Sequence, residues 1–203
     1  MQCLHHQAFT ELSLTGVNAM KRKTAKEILA ASFHELAETR NIDKITIQDI
    51  VTNCGYSTAT FYRYFKDKYD LIAWDYASRI AQIMERVGKN GYTWQHTLLD
   101  GLTQYQNEKE YLANLLIHTG GHDSFIRYMS ETNCDELSAC IKQLSGHEAL
   151  DKQTEMYIRL YCLGTTCLNC EWILGNFEAT AAELADVYEK SLPGPLRRLL
   201  IKE

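Results

Sequence analysis

No proline occurs before Pro193, and Pro195 is the only other one in the 203 residues. Proline removes a backbone donor and clashes with the preceding helical turn. A chain this free of it places nothing in the way of long helices until its C-terminal end. Apolar residues recur at helical spacing almost throughout, and no alternating strand pattern of any length appears. No internal repeat or low-complexity tract is present. The expectation is an all-α protein of about nine helices, long enough to bury a real core.

Capping residues place the helix starts. Thr24-Ala-Lys-Glu27 fits a capping box, followed by Ile28, Leu29, Phe33, Leu36 and Ala37, and predicts a helix to about Arg40. Thr46 is the N-cap of a second helix with Asp49 in its positive first turn and Ile47, Ile50, Val51 and Cys54 on its apolar face. Gly55 supplies the positive φ that a sharp helix end needs. Ser57 caps a third, short helix over 58–65, and Asp67 or its neighbour a fourth with Leu71, Ile72, Tyr76, Ile80, Ile83, Met84 and Val87. Beyond Thr93 separate faces are carried by Trp94 to Tyr105, Tyr111 to Leu116, Phe125 to Met129 after Gly120-Gly121, and Leu137 to Leu144 before Gly146. A long helix covers 153–174 up to Gly175. A second capping box, Thr180 to Glu183, opens the last one, which Pro193 ends. Residues 1–20 show no clean period. Met20 stands directly before KRKTAKE, so this segment reads as a flexible extension or an over-long start.

Helix, glycine turn and short helix over 46–68 form a helix-turn-helix, which presents its second helix to the major groove of DNA. The side chains suit that use. Phosphate contacts need hydroxyls, cations and free amides at helix starts, and Thr46, Ser57, Tyr62, Tyr64 and Lys68 offer these. Base reading needs short side chains early in the recognition helix, and Thr58, Ala59 and Thr60 are short. Gln48 and Arg63 reach further, to a base edge or a phosphate. Phe61 and Phe65, spaced i, i+4, face inward with Ile50. Lys68→Ala is then expected to weaken binding to all sequences and lower the salt slope by about 1.

The same stretch resembles the DNA-binding domain of the TetR family of bacterial transcription regulators. The residues that carry the resemblance are Thr46, Ile50-Val51, Gly55-Tyr56-Ser57, Ala59, Thr60-Phe61-Tyr62, Arg63-Tyr64, Phe65 and Lys68. Val51, Cys54, Tyr56 and Ala59 depart from the usual small or valine residues without removing a polar group. The run FYRYFKDKYDLIAW is similar to a subgroup that includes the activators of dihydroxyacetone kinase operons. The resemblance covers about residues 22–85 and fades beyond. It implies a helix-turn-helix domain at 21–68 and a larger effector-binding and dimerisation domain at 69–203. Trp172, Gly175 and the capped last helix look like the family's dimerising pair, which places Leu168, Trp172, Leu184 and Tyr188 at the dimer face. An effector pocket between helices would draw on aromatics such as Tyr105, Phe125, Tyr157 and Tyr161.

The charge balance fits this division. The chain carries a net −5, yet residues 21–68 hold nine Lys/Arg against six Asp/Glu, and from Leu71 onward there are twelve against eighteen. Screening confines the interaction with phosphate to roughly 10 Å, so a locally basic module on an acidic body still docks. Seven cysteines, an odd number, do not read as a secreted disulfide framework. With no run of about 18 apolar residues and no signal-peptide pattern, the expected location is the cytoplasm. Cys162, Cys167 and Cys170 share one helix. With Cys134, Cys140, His118 or His122 they either hold a soft metal, form a redox switch, or simply fill a core; the last needs no metal and no cofactor, and is the reading adopted.

No nucleophile–base set, phosphate loop or HExxH appears, so an enzyme is not expected. The expected function is a ligand-responsive repressor that binds a palindromic operator in double-stranded DNA as a homodimer and answers to an unidentified small-molecule effector. The alternative is a helical protein–protein adaptor that has lost DNA binding.

Overall fold

The computed structural model describes residues 23–121 and 124–201, so the extension at 1–20 and His122 lie outside the described residues. Within them are ten α-helices and one 3-10 turn, with no strand. The helices are α1 (Ala25–Ala37), α2 (Ile47–Cys54), α3 (Thr58–Tyr64), α4 (Lys68–Met84), α5 (Trp94–Asn107), α6 (Lys109–His118), α7 (Phe125–Ser145), α8 (Lys152–Ile173), α9 (Ala181–Lys190) and α10 (Gly194–Leu200). The 3-10 turn, Ile42–Lys44, links α1 to α2.

The caps sit where local chemistry puts them. Thr24 and Glu27 exchange hydrogen bonds at the start of α1, as Thr46 and Asp49 do on α2 and Thr180 and Glu183 on α9. Asp49 is held well below the usual carboxylate range by the Thr46 hydroxyl first and by Arg40 after it. Gly55 takes φ 73°, and the Tyr56 amide closes the turn on the Val51 carbonyl at 2.8 Å.

Two departures from the sequence expectation have simple causes. The separate helices around Phe125 and Leu144 are one 21-residue helix, α7, because no glycine or proline interrupts 130–136. The polar gap in its apolar pattern is filled by Asn133, which turns inward. Its amide donates to Thr166 on α8 at 3.0 Å and its carbonyl accepts from Tyr76 on α4, whose hydroxyl also meets Tyr105 on α5. Burial pushes the Tyr76 phenol well up and Tyr105 up to about 12, so both stay neutral as the network requires. The second departure is α10. Pro193 ends α9, yet Pro195 falls in the first turn of a new helix, where a missing amide costs nothing.

The buried side chains form one continuous core. Phe33, Ile42, Ile50 and Phe61 lie at its N-terminal end, and α4 carries it onward through Leu71, Ile72 and Tyr76. There α4 packs on α7, α7 on α8, and α5 on α9.

Candidate nucleic-acid interface and the cavity behind it

Phe61 and Phe65 anchor α3 in the core, 5.7 Å apart between ring centres, and this decides which side chains face out. Thr58, Ala59, Tyr62, Arg63 and Tyr64 are exposed, and Thr60 is half-buried. Tyr62 stands 60% exposed, a large aromatic that packing alone would not leave there. No carboxylate lies on α3. The outward row is therefore short residues first, then an aromatic hydroxyl and a guanidinium, with Gln48 exposed on neighbouring α2 and hydrogen-bonded to Thr52.

Three expected phosphate contacts have other work. The Thr46 hydroxyl donates to Asp49 at 2.6 Å and accepts the Asp49 amide, and the Ser57 hydroxyl accepts the Thr60 amide at 3.1 Å. Both are caps, so what they offer a ligand is a positioned helix start, not a spare hydroxyl. Lys68 is the most fully engaged of the three. Its ammonium lies 2.8, 3.2 and 2.9 Å from the carbonyl oxygens of Ile42, Asp43 and Ile45. Three donors meet three acceptors, and partial burial lowers its pKa. Lys68 clamps the 3-10 turn to the start of α4. We expect Lys68→Met to cost about 1.5–3 kcal/mol, as charged hydrogen bonds do. Denaturant unfolding would read that loss, and the salt dependence of DNA binding should keep its slope. A slope lower by about 1 would return Lys68 to the phosphate-contacting set.

Behind the interface, α4, α5, α7 and α8 line a half-open cavity of about 110 Å³. Ile80, Ile83, Leu98, Leu102 and Leu137 form its apolar wall, and Trp94, Tyr161, Asn169 and Tyr188 its polar end. Of the four aromatics expected to line a pocket, Tyr105 and Tyr161 line this one. Phe125 instead packs edge-on against Tyr76 at 5.5 Å, and Tyr157 is half-buried away from the cavity. Trp94, Asn169 and Tyr188 were not expected there. Nothing in the apolar period marks a buried Asn.

The expected dimer residues also move. Trp172, Leu184 and Tyr188 are at most 3% exposed within one chain. The Trp172 indole donates to the Ala179 carbonyl at 2.9 Å, and the Tyr188 hydroxyl donates to Asn169 at 2.7 Å. They hold α9 to α8 and have no surface left to share, and Leu168 is half-buried. What α8 does expose is Met156, Leu160 and Leu163, at 61, 70 and 47%, with Val187 beside them on α9. The inward stripe carries polar Thr166 and Asn169, so apolar period does not separate inward from outward on α8.

The cysteine helix does not gather its thiols. Cys167 is exposed while Cys162 and Cys170 are buried. Among the described residues no three His, Cys, Asp or Glu side chains come together to hold a metal ion. None of the described helices is long and apolar enough to cross a membrane.

Residues 28–73 match the family model for bacterial regulatory proteins, tetR family. The HTH-type dhaKLM operon transcriptional activator DhaS of Lactococcus lactis subsp. lactis (strain IL1403) is 27% identical over 99 residues, 49% of this chain and 52% of that protein. The chain thus spans about half the length of this curated relative. Among solved structures, the dihydroxyacetone kinase operon activator DhaS superposes with a TM-score of 0.60 at 17% identity, covering 86% of this chain and 97% of the other. Thermus thermophilus FadR, a TetR family transcriptional repressor in complex with lauroyl-CoA, gives 0.58 at 19%, covering 88% and 96%. At these identities the structural likeness is one of fold. Fold and outward-facing α3 together define a helix-turn-helix. Residues 28–73 match the N-terminal domain of the tetR family of bacterial regulatory proteins, and over the rest of the chain the likeness to the solved structures is one of fold.

Proposed function

We propose that the protein is a ligand-responsive repressor that binds a palindromic operator as a homodimer, with residues 21–68 reading DNA and 69–203 binding effector and partner. The observation that carries the DNA reading is the row Thr58, Ala59, Tyr62 and Arg63, held out by a fully buried Phe61. Two copies, joined along the exposed stripe of α8 and α9, would present two recognition helices about one DNA turn, roughly 34 Å, apart. Repression needs only that the operator be occupied, so it is the sign adopted, although the DhaS relatives are activators by name.

Regulation follows from how the reading helices are held. The cavity touches α4 through Ile80, Ile83 and Met84, and the other end of α4 holds the 3-10 turn through Lys68. Asn114 on α6 makes the second attachment. Its carbonyl accepts the Ile42 amide at 3.1 Å, and its amide donates to the Ala37 and Arg40 carbonyls at 2.9 and 2.8 Å. A ligand that binds one placing of α4 and α6 better than another shifts the spacing of the two recognition helices.

A gel shift on genomic fragments at low and high salt tests the reading. Salt-sensitive retention of a fragment with an inverted repeat is the expected result. No retention of any fragment at low salt would favour the adaptor instead. Arg63→Ala should lower the salt slope by about 1 or relax one base position at about 1–3 kcal/mol. Thr58→Ala should change sequence preference with the slope kept. Anisotropy titrations on a set of operator variants separate the two signatures, and identical behaviour of both variants would contradict this division of contacts.

A further inference from the structure

Two cysteines on different helices meet beside the cavity. Cys134 on α7 is half-buried, and the buried Cys162 on α8 donates its thiol proton to the Cys134 sulfur. The register of the two helices brings them together. Asn133, next to Cys134, donates to Thr166, one turn beyond Cys162, at 3.0 Å. The exposed Arg159, one turn before Cys162, adds a positive charge within reach of the Cys134 sulfur.

A thiolate, not a thiol, is what attacks an oxidant. The hydrogen bond from Cys162 holds Cys134 down at about 7, with help from Arg159 and against burial and Asp135. A large share of Cys134 is therefore ionised at neutral pH. The same bond, and burial after it, push Cys162 up, so it keeps the proton that it donates. The other buried thiols are less reactive. Burial pushes Cys140 up to about 11 and Cys170 up to about 12. Cys54 donates to the Ile50 carbonyl at 3.2 Å. A partly exposed, easily ionised cysteine beside a second one that can resolve it is the arrangement of a reversible oxidation site.

We propose that Cys134 and Cys162 form a site for oxidation by a hydroperoxide, closing to a disulfide that ties α7 to α8. The Cys134 thiolate attacks one oxygen of hydrogen peroxide and the O–O bond breaks. The departing hydroxide takes up the proton that Cys134 had released and leaves as water, and Cys134 becomes a sulfenic acid. The Cys162 sulfur then attacks the Cys134 sulfur. The S–S bond forms, the S–O bond breaks, and the second hydroxide leaves as water with the Cys162 proton. Two thiols are oxidised to one disulfide and the peroxide is reduced to water. The new bond lies next to Asn133, which accepts from Tyr76 of α4, and Cys162 is part of the cavity wall. It would fix α7 against α8 at the level where Asn133 holds α4.

The test needs neither operator nor effector. Reduced full-length chain, mixed from ¹⁴N and ¹⁵N preparations, is treated with rising doses of hydrogen peroxide and its remaining thiols are alkylated. Chymotrypsin, whose cuts after Leu137, Leu163 and Leu168 part the neighbouring cysteines, gives peptides for tandem mass spectrometry. The first disulfide should join the Cys134 and Cys162 peptides, both halves should carry the same nitrogen label, and dithiothreitol should reverse it. In Cys162→Ser the sulfenic acid should persist on Cys134, where dimedone traps it. In Cys134→Ser, Cys162 should stay a thiol at doses that convert the parent. The mapping of the parent needs no variant, so the central result stands even if a serine variant folds poorly. If a bond between Cys167 and Cys170, or one between differently labelled chains, forms first, the pairing is wrong. If Cys134 passes to sulfinic acid while Cys162 is still reduced, Cys162 does not resolve it and the inference fails. It fails too if both thiols stay alkylatable at doses that oxidise the exposed Cys167.

Discussion

Asn114→Ala should cost on the order of 3 kcal/mol and cut the reading helices loose from the regulatory body. The side chain makes three hydrogen bonds to backbone groups of α1 and of the turn that follows it. One of its partners, the amide of Ile42, belongs to a residue with no exposed surface. Removing the acceptor strands that buried donor at about 1–3 kcal/mol, and the two carbonyls lose their donors as well. For a chain of this size the melting temperature should fall by about 2–4 °C per kcal/mol, so by roughly 6–12 °C. Asn114→Asp is the sharper variant. It keeps the acceptor for Ile42 and turns a carboxylate oxygen toward the Ala37 and Arg40 carbonyls, so it should be no milder than Ala. Below the melting range, half-site DNA affinity should survive in both, because α3 is untouched. The change of operator affinity on adding effector should shrink. A melting temperature within 2 °C of the parent, with the effector response intact, would show that coupling runs through α4 alone.

The contrast between Asn114 and Thr46 explains what was legible in the sequence. Thr46, Asp49, Gly55 and Ser57 act within three or four residues of themselves, so their roles follow from spacing, and the structure places each cap where spacing put it. The outward side of α3 was readable for the same reason, since Phe61 and Phe65 mark the buried side at i, i+4. Asn114 reaches residues 72 to 77 positions away, and no local pattern announces that. The structural contacts of Lys68 are hidden on the same ground. A lysine at a helix start looks free for phosphate, and only the folded chain brings the carbonyls of the 3-10 turn to it. Asn133 and Asn169 broke the apolar period of their helices and hid where those helices face. They are polar because they bond across the bundle, to Tyr76 and Thr166 and to Tyr188. Polar residues in a core are therefore what sequence period misses, and here they border the proposed effector cavity.

Leu160→Asp should separate the proposed dimer while leaving each chain folded. Leu160 is 70% exposed in the single chain, so the substitution removes little from the core. In a two-fold interface along α8 the same residue is buried from both sides. Each dimer would then bury two unpaired carboxylates against Met156, Leu163 and Val187 of the facing copy. A charge buried without a partner costs several kcal/mol, which exceeds what the rest of a stripe of this width supplies. Sedimentation equilibrium should show a shift from dimer to monomer. Linking two half-site contacts raises affinity by about 10²–10⁴-fold, so affinity for the full operator should fall at least about 100-fold and half-site affinity should hold. Ile117→Asp is the matched control. That residue is 64% exposed on α6, off the stripe, and the same charge there should leave assembly and operator binding unchanged. If Leu160→Asp stays dimeric, the exposed α8 stripe is not the interface. With Trp172, Leu184 and Tyr188 buried inside the chain, the contact would then have to be sought on other exposed residues.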